Sequence, residues 1–326
     1  MSPDLPAALR AALDRALEGV PRKGLAERAA RTSQAYRAGR PSAGVIREAD
    51  DALAYALTRL PATYAACSAV LAEAARRAPG YAPKSLLDAG SGTAAASWAA
   101  CAVWPGLDTA TWLDASPPFL ALAAQLASDG PAALQGADAR RADLTAPGTW
   151  PRTDLVVASY ALAEIAPDRQ ASVISELWNA CGGILALVEP GTPAGYARIL
   201  AARSALIATG AAVLAPCPHT AACPLVGEDW CHFSVRLPRS RDHRLAKGAD
   251  APFEDERLSY LIAARPGIAA IPARPRILAP ARTAKPGIAL KLCALDGTVE
   301  QRLVPKRDKL AYAAARRLGW GDVLDL

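Results

Sequence analysis

Apolar residues recur every three to four positions through the first eighty residues, then give way to short uninterrupted runs. Within residues 5–17, Leu9, Leu13 and Leu17 stand four apart. Residues 46–76 continue the period with Leu53, Leu57, Leu60, Val70 and Leu71. One face of a helix repeats at that interval, so residues 1–80 are expected to form a helical region. Pro21, Pro41 and Pro61 are each expected beside a helix boundary, because proline removes a backbone donor. No ligand-like cluster of side chains occurs in this region.

From Lys84 the texture changes. Residues 85–88 read as a strand ending in Gly90-Ser91-Gly92, and 93–103 as a helix. Residues 110–114 predict a second strand and 119–128 a second helix, with a short third strand within 137–144. Residues 154–159 and 183–189 predict a fourth and fifth strand, each followed by a helix, over 169–180 and 196–208. Strand and helix alternating at this spacing predict an α/β fold, a parallel, doubly wound sheet over residues 81–210. Residues 211–283 are rich in Pro, Cys, His and Arg and read as a Cys-rich basic insertion in which only 258–263 predicts a strand. Residues 288–294 and 298–304 predict two strands around an Asp296-Gly297 hairpin, and 308–318 a closing helix. Residues 284–326 are thus expected to complete the core.

Composition narrows the class. The chain has 326 residues, 52% hydrophobic and 21% charged, which excludes a disordered chain and a disulfide-stapled mini-protein. No run approaches the roughly eighteen apolar residues of a membrane span; the longest, over 94–104, is short and Ala-rich. The first thirty residues mix Asp4, Asp14, Glu18 and Glu27 with arginines, a pattern unlike a secretory signal. Charge is segregated: residues 1–230 hold 19 Lys and Arg against 21 Asp and Glu, whereas 231–320 hold 18 against 8. A basic half of this kind suits a polyanionic partner such as RNA. Within it Arg236, Arg239, Arg241, Arg244 and Lys247 are the expected phosphate contacts.

The segment Asp88-Ala89-Gly90-Ser91-Gly92-Thr93-Ala94 carries the first chemistry. Glycines after a strand let the backbone approach a ligand closely. An acid two residues before the first glycine suits the methionine end of S-adenosylmethionine, which carries an ammonium and a sulfonium. Asp114, ending the second strand, is placed for a ribose diol, and Asp143 for an adenine amino group. Ser159 and Tyr160 end the fourth strand where a transferred methyl would leave. The rival is a dinucleotide site, since Gly90-x-Gly92-x-x-Ala95 fits the looser Rossmann fingerprint. Asp88, Gly90, Ser91, Gly92, Asp114, Asp143, Ser159 and Tyr160 are therefore the expected cofactor residues. Residues 159–162, Ser-Tyr-Ala-Leu, lack the Asn/Asp-Pro-Pro-aromatic segment of amino-group methyltransferases, and no catalytic base can be named.

The second chemistry is a cysteine set. The seven cysteines point to a reducing compartment, where clustered thiols more often hold metal than disulfides. Cys217, Cys223 and Cys231 fall within fifteen residues, and Cys293 follows in a strand. Four thiolates satisfy either a tetrahedral zinc or a four-iron cluster. Zinc knuckles are usually paired Cys-x-x-Cys; their absence here favours the polynuclear centre. His219 and His232 adjoin the cysteine segment but are the weaker ligand candidates. Cys67, Cys101 and Cys181 read as ordinary buried residues.

The glycine loop and the cysteine set occur together with Val188-Glu189-Pro190-Gly191-Thr192-Pro193 and Asp229-Trp230-Cys231-His232-Phe233. They are joined by Arg239-Ser240-x-x-His243-Arg244-x-x-Lys247, Glu254-Asp255-Glu256-Arg257-Leu258-Ser259-Tyr260 and Trp320-Gly321-Asp322. From about Ile46 to the C-terminus the chain resembles the methyltransferase-like assembly factors of the mitochondrial small ribosomal subunit, a family with bacterial members. The resemblance implies a class I methyltransferase (Rossmann-like) core and S-adenosylmethionine at the glycine loop. It also implies a four-iron four-sulfur cluster on Cys217, Cys223, Cys231 and Cys293, and action on the small ribosomal subunit and its RNA. Three readings follow: an RNA methyltransferase, a non-catalytic RNA-binding assembly factor, and a small-molecule methyltransferase with a structural zinc. No membrane partner is expected, and the free protein is expected to be a monomer. The setting expected is a bacterial cytoplasm, or the mitochondrial matrix for a eukaryotic homologue.

Overall fold

The computed structural model describes residues 4–37, 44–146 and 148–325. Three helices come first: α1 (Ala7–Leu17), α2 (Arg22–Arg37) and α3 (Ala49–Arg77). Helix α3 opens on a reciprocal cap between Glu48 and Asp51. Arg28 of α2 pairs with that Asp51 at 2.6 Å, which ties the two helices together. Pro21 does precede α2, but Pro61 lies inside α3 rather than at a boundary. The helix runs through it because Leu53, Leu57, Leu60, Tyr64 and Leu71 bury a continuous face, and such packing outweighs one lost hydrogen bond. Pro41 lies outside the described residues.

The main sheet contains β1 (Ser85–Ala89), β2 (Thr109–Asp114), β3 (Asp138–Arg141), β4 (Thr153–Ser159), β5 (Cys181–Pro190), β6 (Ala212–Ala215), β7 (Phe233–Pro238) and β8 (Phe253–Ala264). Its order is β3-β2-β1-β4-β5-β8-β6, with β7 also paired to β8. Strands β1 to β5 are parallel, as their pattern predicts. Strand β8 runs antiparallel to both β5 and β6, so the sheet is mixed rather than parallel throughout. The chain reaches β8 through a long irregular excursion and not a crossover helix, which frees its direction. Residues 258–263 are the inner half of this twelve-residue strand; its outer half pairs with β7.

Alternation along each strand divides the core. Leu86, Leu155, Val157, Ile184, Ala186, Tyr260 and Ile262 face α3, α4 (Ala95–Val103), α5 (Pro117–Ala127) and the short α6 (Ala132–Gln135). Leu87, Val156, Leu185, Leu187, Leu261 and Ala263 face α7 (Pro167–Ala180) and α8 (Pro193–Ala208). Helices thus cover both faces, and near-continuous apolar runs follow from burial on both sides.

The strands of residues 284–326, expected to complete this core, instead join two short strands from the end of the segment read as an insertion in a second sheet. It comprises β9 (Arg276–Ile277), β10 (Arg282–Thr283), β11 (Gly287–Cys293) and β12 (Val299–Pro305), in the order β10-β11-β12 with β9 also on β11. Helix α10 (Lys309–Ala315) closes a separate small core of Ile277, Ile288, Leu290, Leu292, Val304, Ala315 and Leu324. The physical reason is that β6 already occupies the edge of the main sheet, so the hairpin pairs with itself. Strands β6 and β7 and helix α9 (Arg241–Lys247) lie inside the segment read as an insertion. Ser240 caps α9 by accepting from the His243 amide at 3.1 Å, and Gly248 ends it with φ +58°.

Two buried guanidinium groups join the sheets. Arg276 pairs with Glu73 of α3 at 2.6 Å and donates to the carbonyls of Pro216 at 3.1 Å and Gly321 at 2.7 Å. Arg77 donates to the carbonyls of Leu214, Ile271 and Pro272. Among the described residues, no helix is long and apolar enough to cross a membrane.

Candidate functional site

The strand order reverses between β1 and β4, and a cleft opens at the carboxyl ends of the strands there, as open α/β sheets dictate. Gly90, Gly92, Asp114, Asp143, Ser159 and Tyr160, all expected from the sequence, line it. Its volume is about 320 Å³, and Tyr55, Phe119 and Leu144 supply apolar walls. The ring of Tyr55 meets that of Phe119 edge-on at 4.9 Å. Neither aromatic carries a local sequence signal, because their helices come from different parts of the chain.

The glycines differ in their reason. Gly90 takes φ +71°, and a Cβ there would stand 2.7 Å from Cβ of Ala161, so no side chain fits. Gly92 takes φ +52° and has open space where its Cβ would be. Its amide donates to Oδ2 of Asp114 at 2.7 Å, while Oδ1 accepts from Ser116 at 2.8 Å. Burial raises the Asp114 pKa, partly offset by these two amides. Asp143 accepts from the amide and hydroxyl of Thr145, both at 2.8 Å, and these bonds lower its pKa.

Asp88 and Ser91 sit beneath the cleft rather than on its wall. Asp88 is fully buried; its Oδ2 accepts from the Ser97 amide at 3.1 Å and hydroxyl at 2.6 Å. Its Oδ1 is buried without a hydrogen-bond partner. Burial pushes the carboxyl up to about 6, against the two Ser97 bonds that lower it. Since this pKa is raised, the stabilising form is the protonated one, and stability falls as pH rises from about 4 through 6. The loss is on the order of 3 kcal/mol. In Asp88→Asn, calorimetric unfolding between about pH 4 and 7.5 is expected to lack this decline.

Against Tyr160 stands an ion pair, Arg59 and Glu256, that is not among the expected cofactor residues. Tyr160, in the left-handed region at φ +59°, donates its hydroxyl to Oε1 of Glu256 at 2.9 Å. Arg59 of α3 closes on the same carboxylate at 2.9 and 3.2 Å. Burial, then Glu256, raises the Tyr160 phenol well above its usual range, so it remains a donor.

The cysteine set converges. Cys217, Cys223, Cys231 and Cys293 line one cavity beneath α8, together with Tyr196, Arg203, Tyr260 and Arg276. All are free thiols. The Tyr196 hydroxyl lies 3.1 Å from Sγ of Cys223, and Nε2 of His219 lies 3.3 Å from Sγ of Cys293. Burial raises Cys217 and Cys231, and pushes Cys293 up to about 12. His232 packs between Trp230 and Trp320, with ring centroids at 4.9 and 4.8 Å. Among the described residues, no three His, Cys, Asp or Glu side chains are arranged to hold a metal ion. Cys67, Cys101 and Cys181 are buried in the main core.

The expected phosphate contacts are mostly committed elsewhere. Arg236 forks onto Asp255 at 2.7 and 2.8 Å. Arg239 reaches Glu254 at 3.1 Å, and Lys247 reaches it at 2.7 Å. The Arg244 Nε is buried; Arg236 and Arg241 are exposed, and of these two Arg241 forms no ion pair among the described residues. The acids that neutralise them lie on β8, which becomes their neighbour only through the β7–β8 pairing.

The sequence profile of Rsm22, described as mitochondrial small ribosomal subunit Rsm22, matches residues 49–325. The human protein named ribosome assembly protein METTL17, mitochondrial, is 30% identical over 290 residues, covering 83% of this chain and 62% of the relative. The fission yeast (Schizosaccharomyces pombe) Rsm22-cox11 tandem protein 2, mitochondrial, is 27% identical over 220 residues, 53% of this chain and 29% of that protein. The chain thus spans less than two thirds of either relative. Among solved structures, magnesium protoporphyrin IX methyltransferase from Synechocystis PCC 6803 with bound SAH covers 63% of this chain and 83% of its own, at 16% identity and a TM-score of 0.40. That resemblance is weak; the doubly wound description rests on the strand order itself.

Proposed function

This chain belongs to the Rsm22 family, and from that premise we propose that it acts in small ribosomal subunit assembly as an RNA-binding, methyltransferase-like protein. In this reading the cleft takes S-adenosylmethionine and the four thiols take a four-iron four-sulfur cluster. The observation that carries it is the cleft at the switch point, where Asp114, Asp143 and the Gly90–Gly92 turn converge on one space.

The residues fit the cofactor. The open space at Gly92 leaves room for a ligand against the turn, and Asp114 keeps lone pairs for a diol. The unpartnered Oδ1 of Asp88 leaves a negative charge beneath the turn, which favours a cationic ligand end above it. When bound, S-adenosylmethionine supplies an electrophilic methyl on a sulfonium. For the second group, the donor set is four thiols beside Arg203 and Arg276, which suits an anionic centre. Four thiols on one cavity could equally ligate a tetrahedral zinc, and metal analysis decides between the two.

A binding role without methyl transfer is favoured by one observation. The Tyr160 hydroxyl, one of the polar groups expected at the methyl end, is already engaged by Glu256, which Arg59 neutralises. Radiolabelled methyl transfer to isolated small-subunit RNA separates the two roles. Titration calorimetry is expected to show S-adenosylhomocysteine binding that Asp114→Ala weakens at least about tenfold, two charge-assisted bonds being lost. A wild-type chain with no heat of binding overturns the cofactor assignment. The compartment proposed is a bacterial cytoplasm, or the matrix in a mitochondrial homologue.

A further inference from the structure

We propose that the RNA of the functional reading above is held by the end of the second sheet that lies away from the cysteines, through a cluster of uncommitted cations. Residues 282–317 hold nine Lys and Arg against three Asp and Glu. The three acids are spent locally. Asp296 accepts from Thr298, Glu300 pairs with Arg302 at 2.6 Å, and Asp308 caps α10 by accepting from the Ala311 amide at 3.1 Å. Lys291 is also committed, to Asp229.

What remains is concentrated. Arg282 and Lys285 belong to the β10–β11 turn, and Lys306, Arg307 and Lys309 to the β12–α10 turn. All five are exposed, and among the described residues none forms an ion pair. The Lys306 amide donates to the Pro286 carbonyl at 3.0 Å, which holds the two turns side by side. Gly287 makes that approach possible, since any side chain there would collide with the Val304 carbonyl. The five charges therefore share one surface built on a hydrogen-bonded hairpin. Arg316 and Arg317 extend it past the far end of α10.

The basic stretch 236–247 is the contrast. There Arg236, Arg239 and Lys247 each find a carboxylate from β8, which leaves Arg241 as the exposed cation without an ion pair among the described residues. Here the chain places five like charges together with one carboxylate, Asp308, which caps α10 and pairs with none of them, an arrangement stabilised by a polyanion. Strand β11 runs from this surface at Gly287 to Cys293, six steps or about 20 Å away. The cysteine cavity thus anchors the opposite end of the sheet that carries the surface.

The test measures binding of a transcribed small-subunit ribosomal RNA to the full chain as a function of salt. Lys306→Ala/Arg307→Ala/Lys309→Ala is compared with wild type and with Arg236→Ala, and thermal unfolding confirms that each variant folds. The triple variant is expected to lose roughly 2–3 units of log–log salt slope, at about 0.7–0.9 per phosphate contact, while Arg236→Ala stays near wild type. A triple variant with the wild-type slope overturns the surface but leaves RNA binding standing. A wild-type chain that binds no RNA overturns the functional reading and the surface with it. Equal binding to anionic phosphatidylserine vesicles, lost in the same variant, overturns the assignment to RNA.

Discussion

Replacing Arg276 with methionine is expected to lower the unfolding free energy by about 3 kcal/mol, because Oε1 of the buried Glu73 carboxylate loses its partner and only the exposed Arg76, on Oε2, remains. Arg276 is 4% exposed and Glu73 6%. Burial alone would raise the Glu73 pKa, but Arg276 and then Arg76 outweigh it and hold the carboxyl below its usual range. The same guanidinium also satisfies the Pro216 carbonyl, one residue before Cys217, and the Gly321 carbonyl near the C-terminus. One substitution therefore loosens α3, the cysteine segment and the end of the chain together. Denaturant titration gives the midpoint shift, and Glu73→Leu/Arg276→Met is expected to recover much of it by removing the stranded charge. Additive losses in that double variant would show that the pair is not coupled.

The second large effect is expected at Cys223. Anaerobically purified wild-type protein should carry roughly four irons per chain with matching sulfide and a visible absorption band. In Cys223→Ser the band and most of the iron are expected to disappear. The irregular stretch 216–232 and residues 276–300 should then become the first cleaved in limited proteolysis, ahead of the main-sheet strands, because the centre joins that loop to β11. Cleavage unchanged from wild type would mean that the cysteines do not staple this region. A colourless, metal-free wild-type preparation would remove the cluster altogether, and stoichiometric zinc in its place would favour the single-ion alternative.

Most of the α/β half was legible in the sequence. Strands β1, β2, β4 and β5 are apolar on both faces, and their runs of Leu, Val and Ile announce themselves without tertiary information. Asp114 and the glycines of the cleft were legible for the same reason, since they end or follow such a strand, whereas Asp143 follows the short, exposed β3. Strands β6 and β7 were not, because short strands flanked by Pro, Cys and Arg carry no period of their own. Tyr55, Phe119, Arg59 and Glu256 escaped because they come from α3, α5 and β8, and although Tyr55 and Arg59 are one helical turn apart, no spacing links them to the others or to the glycine turn.

Local sequence, then, determined the alternation of strands and helices, the turn that must be glycine at position 90, and the stock of thiols and cations. Only the tertiary structure decided that β8 runs antiparallel into the main sheet and that the last strands pair with each other. It also decided which cations meet a carboxylate. That last choice turns on distance: Glu254 and Asp255 reach Arg239, Lys247 and Arg236 only after β7 and β8 pair, whereas Lys285, Lys306 and Arg307 end on turns where the neighbouring Asp308 is taken up by the α10 cap. Charge can be counted along a chain, but whether it is neutralised is a property of the fold, because a Coulomb partner acts over a few ångströms and not over sequence separation.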